Sequence, residues 1–471
     1  MTIFALFIIL MMVLVAGIGV DLMHNEMDRT RLQNTMDRAV LAAADLDQQL
    51  DPKAVVEDYF DKAGLREYLT SVVPDAGLNY RSVTATARMD TRTQFMHRLG
   101  LDTLPVPAAS AAVERVPNVE ISLVLDISGS MRYNSRMDNL RPAAKNFVKI
   151  VLEGSAIDHT SINIIPYAGQ TNPGPFMFNR LGGVRYAAMA LDEDDGGVDE
   201  QFNHTQLPPW KSAGDGKDKD DTRRFVYPNN SSCFELNTSD FNTATLPAAG
   251  TYAQVPLFMN WTIASAVMDW GWCPQDRSSI RYASNKAGNL DDLITTMRMH
   301  DGTGTHYAMK WALALLNPAS QPHFAAMADA GLIPNEFRNR PAGYRDDETV
   351  KYIVLMTDGQ ITEQVRPKDE MHILNPTVEL DQKSRKDKGH REQLTSASTN
   401  VSSFKKQCDL AKATDRPIVV YTIAFEAPGT PEQQMRDCAS TPSHFFTAQG
   451  SQINEVFSTI ARQINQLRLT Q

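Results

Sequence analysis

The segment Ile121–Met131, with the sequence I-S-L-V-L-D-I-S-G-S-M, constrains the fold more than any other part of this chain. A short apolar run is typical of a strand buried in a parallel sheet, and this one ends in an acid followed by two hydroxyls at alternate positions. Asp126, Ser128 and Ser130 are therefore expected in one loop at the carboxyl end of a strand, the edge at which open α/β sheets bind ligands. One charged and two neutral oxygens suit a small divalent cation such as Mg²⁺ or Mn²⁺ better than zinc, which prefers His and Cys.

From Val119 onward, apolar strands alternate with amphipathic helices, which is the pattern of a doubly wound parallel sheet of the α/β class. We predict strands at Val119–Leu125, Ser161–Tyr167, Val350–Asp358, Ile418–Phe425 and His444–Thr447. We predict helices at Arg141–Leu152, Leu290–Met299, after Asp301–His306, at Ser402–Ala413, from Thr430, and at Gln452–Leu467. Two polar insertions, at about 169–290 and 361–400, interrupt this domain of residues 119–471; the first is rich in Asp, Asn, Gly and Pro, and the second shows no periodicity.

Two further segments bring oxygen donors to strand ends of the same predicted sheet. The strand Val350–Asp358 ends in an acid, as the first one does, and the element G-T-G-T places Thr303 and Thr305 at the start of a helix. The pattern D-x-S-x-S is common by itself, whereas its combination with a threonine loop and a second strand-end acid is specific. The sequence therefore predicts a site for a cation that prefers oxygen ligands.

The N-terminal segment predicts a membrane anchor. The first twenty residues contain no charged side chain, and that length is sufficient for a helix to cross the hydrocarbon core. A cleaved signal peptide is the alternative, but a basic n-region and an A-x-A cleavage site are both missing from this stretch. Because the helical apolar periodicity continues past Asp21 until Asp51 can cap a new helix, we expect an anchor at 1–21 and a helical stalk at 22–51.

Residues 52–118 predict a small α+β unit between the stalk and the main domain. A short helix at 52–63 is followed by a second helical piece at Arg66–Val72. The alternating stretch Asn79–Met89 has the period of a half-buried strand, and Ala108–Val116 is expected to be extended. This unit contains no chemically suggestive residues, and we interpret it as a spacer or scaffold.

The first insertion contains two features whose interpretation is structural. Its acidic runs at Asp192–Glu200 and Asp215–Asp221 do not have the regular spacing of a calcium loop, so we expect solvated loops. Trp261, Trp270 and Trp272 cluster before a cysteine, and we expect them to form the core of the insertion.

Charge and cysteine content bear on partners and compartment. A formal net charge of -10 argues against a nucleic-acid partner, because phosphate binding requires a basic face. The positive-inside rule would place the body in the cytoplasm, since Arg29, Arg31 and Arg38 follow the predicted span and no basic residue precedes it. The four cysteines indicate the opposite, because they fall into two separable pairs without a C-x-x-C motif; two disulfides in an oxidising compartment are favoured, with free buried thiols as the alternative.

The three donor segments together resemble the von Willebrand factor A domain with its metal-ion-dependent adhesion site. In that family the serines and a loop threonine coordinate Mg²⁺, the two aspartates act largely through water, and an open position takes an acidic side chain from a partner. The resemblance implies Ser128, Ser130 and Thr303 as hydroxyl ligands, with Asp126 and Asp358 as the acids and Mg²⁺, or else Mn²⁺ or Ca²⁺, as the ion. Thr303 is preferred as the first threonine of G-T-G-T, and Thr305 would then cap the helix.

The flanking segments resemble bacterial TadG-like proteins of the Tad (Flp) pilus-assembly system. This resemblance is based on D-R-T-R-L-Q-N-T-M-D-R-A-V-L-A-A-A after the anchor, P-Y-A-G-Q at Pro166–Gln170, W-C-P at Trp272–Pro274, and the ending C-A-S…H-F-F-T-A with L-R-L-T-Q. It extends over most of the chain. It implies a single inner-membrane anchor with a periplasmic body, against the charge signal, and the disulfides Cys408–Cys438 and Cys233–Cys273.

The function expected from these features is metal-dependent protein binding in adhesion or pilus assembly, without enzymatic activity. A Mg²⁺-dependent hydrolase of the phosphatase type is one alternative, because an apolar strand ending in Asp also opens the haloacid-dehalogenase phosphatases. Those enzymes need a second acid two residues later as general acid, and Ser128 stands there. A structural scaffold that assembles through its stalk is the other alternative.

Overall fold

The computed structural model describes residues 2–46, 48–76, 80–115, 117–185, 231–261, 263–269, 271–346, 348–370, 372, 374–375, 378–413 and 418–469. The chain divides into two compact units, Met1–Pro117 and Asn118–Thr470, called here the N-terminal unit and the α/β unit. The acidic runs at Asp192–Glu200 and Asp215–Asp221, and Trp270, lie outside the described residues.

The N-terminal unit combines two helices with a three-stranded antiparallel sheet in the order β1-β2-β3. Its elements are α1 (Thr2–Ala44), α2 (Pro52–Ala63), β1 (Leu69–Ala76), β2 (Tyr80–Arg92) and β3 (Thr103–Arg115). The predicted cap is confirmed, because the Asp51 carboxylate accepts the Ala54 N–H at 3.0 Å and α2 begins with Pro52. The predicted helical piece at Arg66–Val72 is wrong beyond its first turn, since β-branched residues that follow pair with β2 as a strand.

Helix α1 is apolar at its start and amphipathic further on. Its apolar part has a mean hydropathy of 3.0 and is long enough to cross a membrane by length and composition. Further along, Leu32, Met36 and Val40 recur at helical spacing and are fully buried in the core of the N-terminal unit. The helix thus continues past the anchor into the stretch predicted as a stalk, 22–51, but it ends at Ala44 and its apolar stripe is covered by the sheet and by α2.

The N-terminal unit holds α1 from the end of its apolar part. The buried Asp21 carboxylate accepts the backbone N–H groups of Gln94, Phe95 and Met96 at 2.7–2.9 Å. One turn earlier, a Cβ on Gly17 would stand 2.3 Å from the Phe95 ring. A glycine is therefore required where the aromatic ring lies against the helix backbone.

The α/β unit is built on a six-stranded sheet in the order β13-β12-β9-β4-β5-β8. Its elements are β4 (Asn118–Asp126), α3 (Arg136–Val151), β5 (Thr160–Tyr167), α4 (Gly174–Arg180), β6 (Gly183–Val184), β7 (Tyr252–Ala253), β8 (Arg281–Ser284), α5 (Ala287–Thr296), α6 (Thr305–Ala314), α7 (Gln321–Asp329), β9 (Thr349–Thr357), β10 (Gln364–Pro367), α8 (Lys383–Asp387), β11 (Arg391–Thr395), α9 (Ala397–Lys412), β12 (Val419–Phe425), α10 (Thr430–Cys438), β13 (Phe445–Ala448) and α11 (Gln452–Leu469). All pairs in this sheet are parallel except β5–β8. The predicted fold class, a doubly wound α/β sheet, is confirmed.

Strand β4 lies near the middle of the sheet and is buried on both faces. Leu123 and Leu125 pack into the core that includes Phe147 of α3 and Phe457 of α11. Val124 points to the opposite face and packs into the core that includes α6. Because successive side chains of a strand alternate between faces, a continuous apolar run is what a strand covered by helices on both sides requires.

Both insertions contain regular structure that the sequence did not reveal. The first returns to the main sheet as the antiparallel edge strand β8, so its final residues belong to the sheet. The second forms an antiparallel pair of strands, β10 and β11, and α9 begins at Ala397 with Ser396 as its cap rather than at the predicted Ser402. Both predicted disulfides, Cys233–Cys273 and Cys408–Cys438, are present. Trp272 is fully buried, and its ring centroid lies 5.6 Å from that of Trp261, which agrees with a tryptophan core in the insertion.

Candidate metal centre

The two predicted acids lie at the carboxyl ends of neighbouring parallel strands. Strand β4 ends at Asp126 and strand β9 at Thr357, which Asp358 follows directly. The register pairs Val124 with Leu355, so the two carboxyl ends leave the sheet at the same level. Because neighbouring parallel strands have their carboxyl ends at the same edge of the sheet, the two acids lie close together.

Asp126 is fully buried and holds the loop that follows it. Its Oδ1 accepts the Ser128 backbone N–H at 2.8 Å. Its Oδ2 accepts hydrogen bonds from the hydroxyls of Tyr167 at 3.0 Å and Thr357 at 2.9 Å. These three donors engage both carboxylate oxygens, and the hydrogen bond from Ser128 holds the start of the serine loop against the end of β4.

Ser128, Ser130 and Asp358 gather three oxygens at one point. The Ser130 hydroxyl donates to Asp358 Oδ1 at 2.7 Å, and the Ser128 hydroxyl lies 3.4 Å from the same oxygen. The two serine hydroxyl oxygens are 3.0 Å apart. The alternating spacing of the serines therefore aims both hydroxyls at the second acid.

The two carboxylates carry more negative charge than the surrounding protein neutralises. Burial raises the pKa of Asp358 to about 7, and the negative charge of Asp126 adds to this shift. Burial also raises the pKa of Asp126, and the hydrogen bonds that its carboxylate accepts offset only part of the increase. A divalent cation would supply the missing positive charge and stabilise both ionised carboxylates.

The sequence reasoning missed an arginine at this site. Arg136, the first residue of α3, donates from Nη1 to Asp358 Oδ2 at 2.8 Å and from Nε to Glu426 Oε2 at 2.9 Å. Asn134 and Ser135 precede it with φ of 53° each, and this left-handed turn brings the guanidinium back over the site. The pattern D-x-S-x-S gives no signal for this residue, and the polar stretch before α3 does not reveal the left-handed turn that positions it.

The threonine loop is held against the same edge by Gly302. Gly302 has φ of 77°, and a Cβ there would stand 2.5 Å from the Trp272 ring, so glycine is required on both counts. The Thr303 backbone N–H donates to the Thr362 hydroxyl at 3.0 Å, and the Thr303 carbonyl accepts the Thr362 N–H at 3.0 Å. These contacts fix the loop in front of the serines.

Thr303 and Thr305 occupy different environments. Thr303 lines a cavity of about 340 Å³ together with Ser130. Thr305 is fully buried, and its hydroxyl lies 3.4 Å from that of Tyr167. The prediction that Thr305 caps α6 is wrong, because the N-cap residue is Gly304, which has no side chain, and Thr305 is the first residue of the helix itself.

Residues of the first insertion wall the cavity on one side. Trp261 and Met268 line it together with Tyr133, which is 53% exposed. The Asp301 carboxylate accepts the backbone N–H groups of Asn260 and Trp261 at 3.1 and 3.0 Å and thereby fixes this wall. Burial raises the pKa of Asp301 to about 6 despite these hydrogen bonds. A ligand entering the cavity would therefore meet the insertion as well as the strand-end oxygens.

The donor set fits a small cation with oxygen ligands. In an octahedral shell with ligand distances of about 2.0–2.1 Å, adjacent oxygens lie about 3 Å apart. The three oxygens of Ser128, Ser130 and Asp358 are separated by 2.7–3.4 Å. Among the residues that the structure describes, no group of three or more His, Cys, Asp or Glu side chains could hold a metal. The described part of the chain therefore shows no zinc-type group of ligands, whereas it does bring hydroxyl and carboxylate oxygens together at this strand edge.

Comparison with known proteins gives a family match at the N-terminus. Residues 1–46 match the family model described as putative Flp pilus-assembly TadE/G-like. No curated protein sequence matches the chain.

Solved structures similar to the chain include three pilus proteins. The vWF domain of the type V pili tip protein Mfa5 from Porphyromonas gingivalis is 13% identical with a TM-score of 0.36, over 75% of this chain and 96% of that one. The PilB minor pilin from Streptococcus sanguinis is 12% identical with a TM-score of 0.33, over 85% and 78% of the two chains. The pilus adhesin SpaC from Lactobacillus rhamnosus GG is 12% identical with a TM-score of 0.32, over 83% of this chain and 34% of that one.

Proposed function

We propose that the α/β unit is a protein-binding module that depends on a divalent cation. The observation that carries this proposal is the convergence of two serine hydroxyls and one carboxylate oxygen within 3.4 Å of one another beside an open cavity. Ser128, Ser130, Thr303 and Asp358 would hold the ion, with Asp126 orienting the serine loop. The bound cation, Mg²⁺ in preference to Mn²⁺ or Ca²⁺, would supply positive charge that attracts an acidic side chain of a partner protein.

We further propose that the protein works in Tad (Flp) pilus assembly. The family match at residues 1–46 supports this role. The apolar start of α1 supports a single anchor in the bacterial inner membrane. Two disulfides support a periplasmic position for the remainder of the chain, because disulfides persist in oxidising compartments.

Two other functions have less support from the structure. A phosphatase of the haloacid-dehalogenase type needs a general acid where Ser128 stands, and the Ser128 hydroxyl is directed at Asp358. Assembly through a stalk needs an exposed apolar stripe, whereas Leu32, Met36 and Val40 are buried in the N-terminal unit itself. The metal-dependent module is thus the function that these contacts favour.

Metal binding by the full-length protein in detergent tests the proposal. We expect Mg²⁺ binding by isothermal titration calorimetry in the unaltered protein and its loss in the double variant Ser128→Ala, Ser130→Ala. The double variant Ser402→Ala, Ser443→Ala removes two exposed hydroxyls from the same unit and should bind Mg²⁺ normally. A pull-down from membranes with this protein as bait provides a second test. Capture of the same proteins with and without chelator would overturn the proposal. Turnover of a generic phosphatase substrate that Asp126→Asn abolishes would favour the hydrolase instead.

A further inference from the structure

The cavity that Ser130 and Thr303 line is called here the metal-site cavity. A second cavity adjoins it and is lined by cationic side chains. It has a volume of about 280 Å³, and its lining includes Arg132, Arg141 and Arg298 beside Asp138. Arg132 also lines the metal-site cavity, so the two cavities share a wall. Three guanidinium groups around one cavity are notable in a chain whose formal net charge is -10.

The three arginines differ in how fully they are paired. Arg298 is committed to the insertion, since its Nε donates to Asp269 Oδ1 at 2.7 Å and its other nitrogens donate to backbone carbonyls. Arg132 stacks over the Tyr133 ring at 4.9 Å and donates to its hydroxyl at 2.8 Å. Arg141 donates to the Met297 carbonyl at 2.9 Å, and its Nε is buried with no acceptor within the described residues.

Arg141 lies where an anion would be stabilised. Burial lowers the pKa of Arg141, and the positive charge of Arg298 lowers it further, against an opposing effect of Asp138. Asp138 is exposed, and Asp269 is already shared between Arg277 and Arg298. Positive charge is therefore in excess around this cavity, whereas the neighbouring cavity is lined by both Arg132 and Asp301 and by Ser130, which contacts Asp358.

We infer that the arginine cavity takes a second acidic side chain of the same partner whose first acidic side chain is bound at the metal site. This inference rests on the proposed function, and it specifies the partner as a protein segment with at least two acidic residues close together. Planar guanidinium groups pair with carboxylates through parallel hydrogen bonds, which gives directional recognition beyond simple charge attraction. The shared wall at Arg132 requires the two acidic groups to lie on one contiguous surface of the partner.

A hexaglutamate peptide is a suitable probe, with hexaglutamine as the uncharged control. Binding to the full-length protein in detergent is measured by fluorescence anisotropy with saturating Mg²⁺ and again with chelator. We expect Arg141→Gln to weaken hexaglutamate binding about tenfold or more in Mg²⁺, because a charge-assisted hydrogen bond is lost. Arg141→Lys retains the charge without the planar group and should give an intermediate loss.

A control separates this effect from a general change in charge. Arg281→Gln removes one exposed positive charge at the edge strand of the same unit and should leave hexaglutamate binding unchanged. Arg141→Gln also removes the hydrogen bond to the Met297 carbonyl, which could lower the melting temperature. In that case Arg132→Gln, at the wall that the two cavities share, provides the second test.

The outcomes distinguish this inference from the proposed metal site. Binding that needs Mg²⁺ but is insensitive to Arg141→Gln and Arg132→Gln overturns the arginine cavity and leaves the metal site standing. Binding that is insensitive to chelator but weakened by the arginine variants overturns the metal site and leaves the arginine cavity standing. Failure to bind hexaglutamate at millimolar peptide, or binding to anionic phosphatidylglycerol vesicles in its place, overturns the inferred acidic protein partner.

Discussion

Strands β4 and β9 carry buried charged residues at both of their ends, and the two ends differ in how those charges are satisfied. At the amino end, Glu120 of β4 lies directly opposite Lys351 of β9 in the register and forms an ion pair with it. The same carboxylate accepts hydrogen bonds from Arg340 Nη1 at 3.1 Å and the Ala342 N–H at 2.7 Å. One buried acid is thus matched by two cationic side chains and a backbone donor.

At the carboxyl end, the same two strands present two acids and one shared arginine. Among the described residues, the hydrogen-bond donors to Asp126 are all neutral, and Arg136 divides its guanidinium between Asp358 and Glu426. The pKa of Asp358 rises to about 7 as a result of burial and of the neighbouring acid. The comparison teaches that a closed ion pair stabilises the sheet, whereas an under-compensated pair of acids leaves a place for an external cation.

Breaking the ion pair between Glu120 and Lys351, at the amino ends of β4 and β9, should have the largest effect on stability. Lys351→Met leaves Glu120 buried with a reduced set of partners, and we expect the free energy of unfolding to fall by about 3 kcal/mol. Urea unfolding followed by tryptophan fluorescence measures this change. The control Lys386→Met breaks an exposed pair with Asp381 and should cost less than about 1 kcal/mol. An equal loss in both variants would mean that burial adds nothing to the importance of the Glu120–Lys351 pair.

Binding of Mg²⁺ beside the acids at the carboxyl ends of β4 and β9 should stabilise the protein by a somewhat smaller amount. At Mg²⁺ concentrations about a hundredfold above the dissociation constant, we expect the free energy of unfolding to rise by about 2.7 kcal/mol by mass action. Ser128→Ala with Ser130→Ala should abolish this increment, while Lys351→Met should retain it on a lower baseline. The same urea titrations with and without Mg²⁺ decide the matter. Retention of the full increment in the serine variant would show that Mg²⁺ binds elsewhere.

Removing Arg136, the arginine shared by Asp358 and Glu426, should increase Mg²⁺ affinity, whereas removing the serine hydroxyls should abolish Mg²⁺ binding. Arg136→Gln takes away a positive charge 2.8 Å from Asp358 Oδ2 and with it a competitor for the cation. We expect Mg²⁺ affinity to increase by about 1.4 kcal/mol, or tenfold, measured by calorimetry. Arg281→Gln is the matched control and should not change the affinity. A weaker affinity in Arg136→Gln would mean that Arg136 chiefly holds Asp358 in place.

The two threonines should differ by the smallest amount. Thr303→Val removes a hydroxyl that lines the metal-site cavity, and we expect Mg²⁺ affinity to fall by on the order of 1 kcal/mol. Thr305→Val removes a hydroxyl that faces Tyr167, so Mg²⁺ affinity should stay constant while stability falls slightly. Calorimetry and urea unfolding of both variants give the two quantities. The reverse assignment of effects would make Thr305 the ligand.

The sheet and its acids could be predicted because their signals are local. An apolar run such as Val119–Leu125 requires burial on both faces, and an acid at its end must lie at the carboxyl edge of a parallel sheet. The observed strand, Asn118–Asp126, exceeds the predicted one by one residue at each end. The glycine and threonine of the second loop likewise precede a helix that its own apolar face makes evident.

The features that were missed depend on contacts between distant segments. Arg136 reaches Asp358 only because Asn134 and Ser135 adopt left-handed backbone angles, and a polar stretch gives no sign of that turn. Strand β8 has four residues and is defined by its pairing with β5. The stripe on α1 indicates that one face is buried without indicating which surface covers it. In each case the sequence indicates a local preference, whereas the structure depends on a second segment that is distant in the sequence.

The continuity of α1 has a mechanical consequence. With its apolar start in a bilayer, the same helix passes without a break into the core of the N-terminal unit, where it is held from Gly17 and Asp21 onward. A force applied along the anchor would therefore shear a packed core instead of straightening a loose tether. Resistance to such a pull is set by the rate at which that core unfolds. The N-terminal unit would then determine the tension at which the chain outside the anchor begins to lengthen.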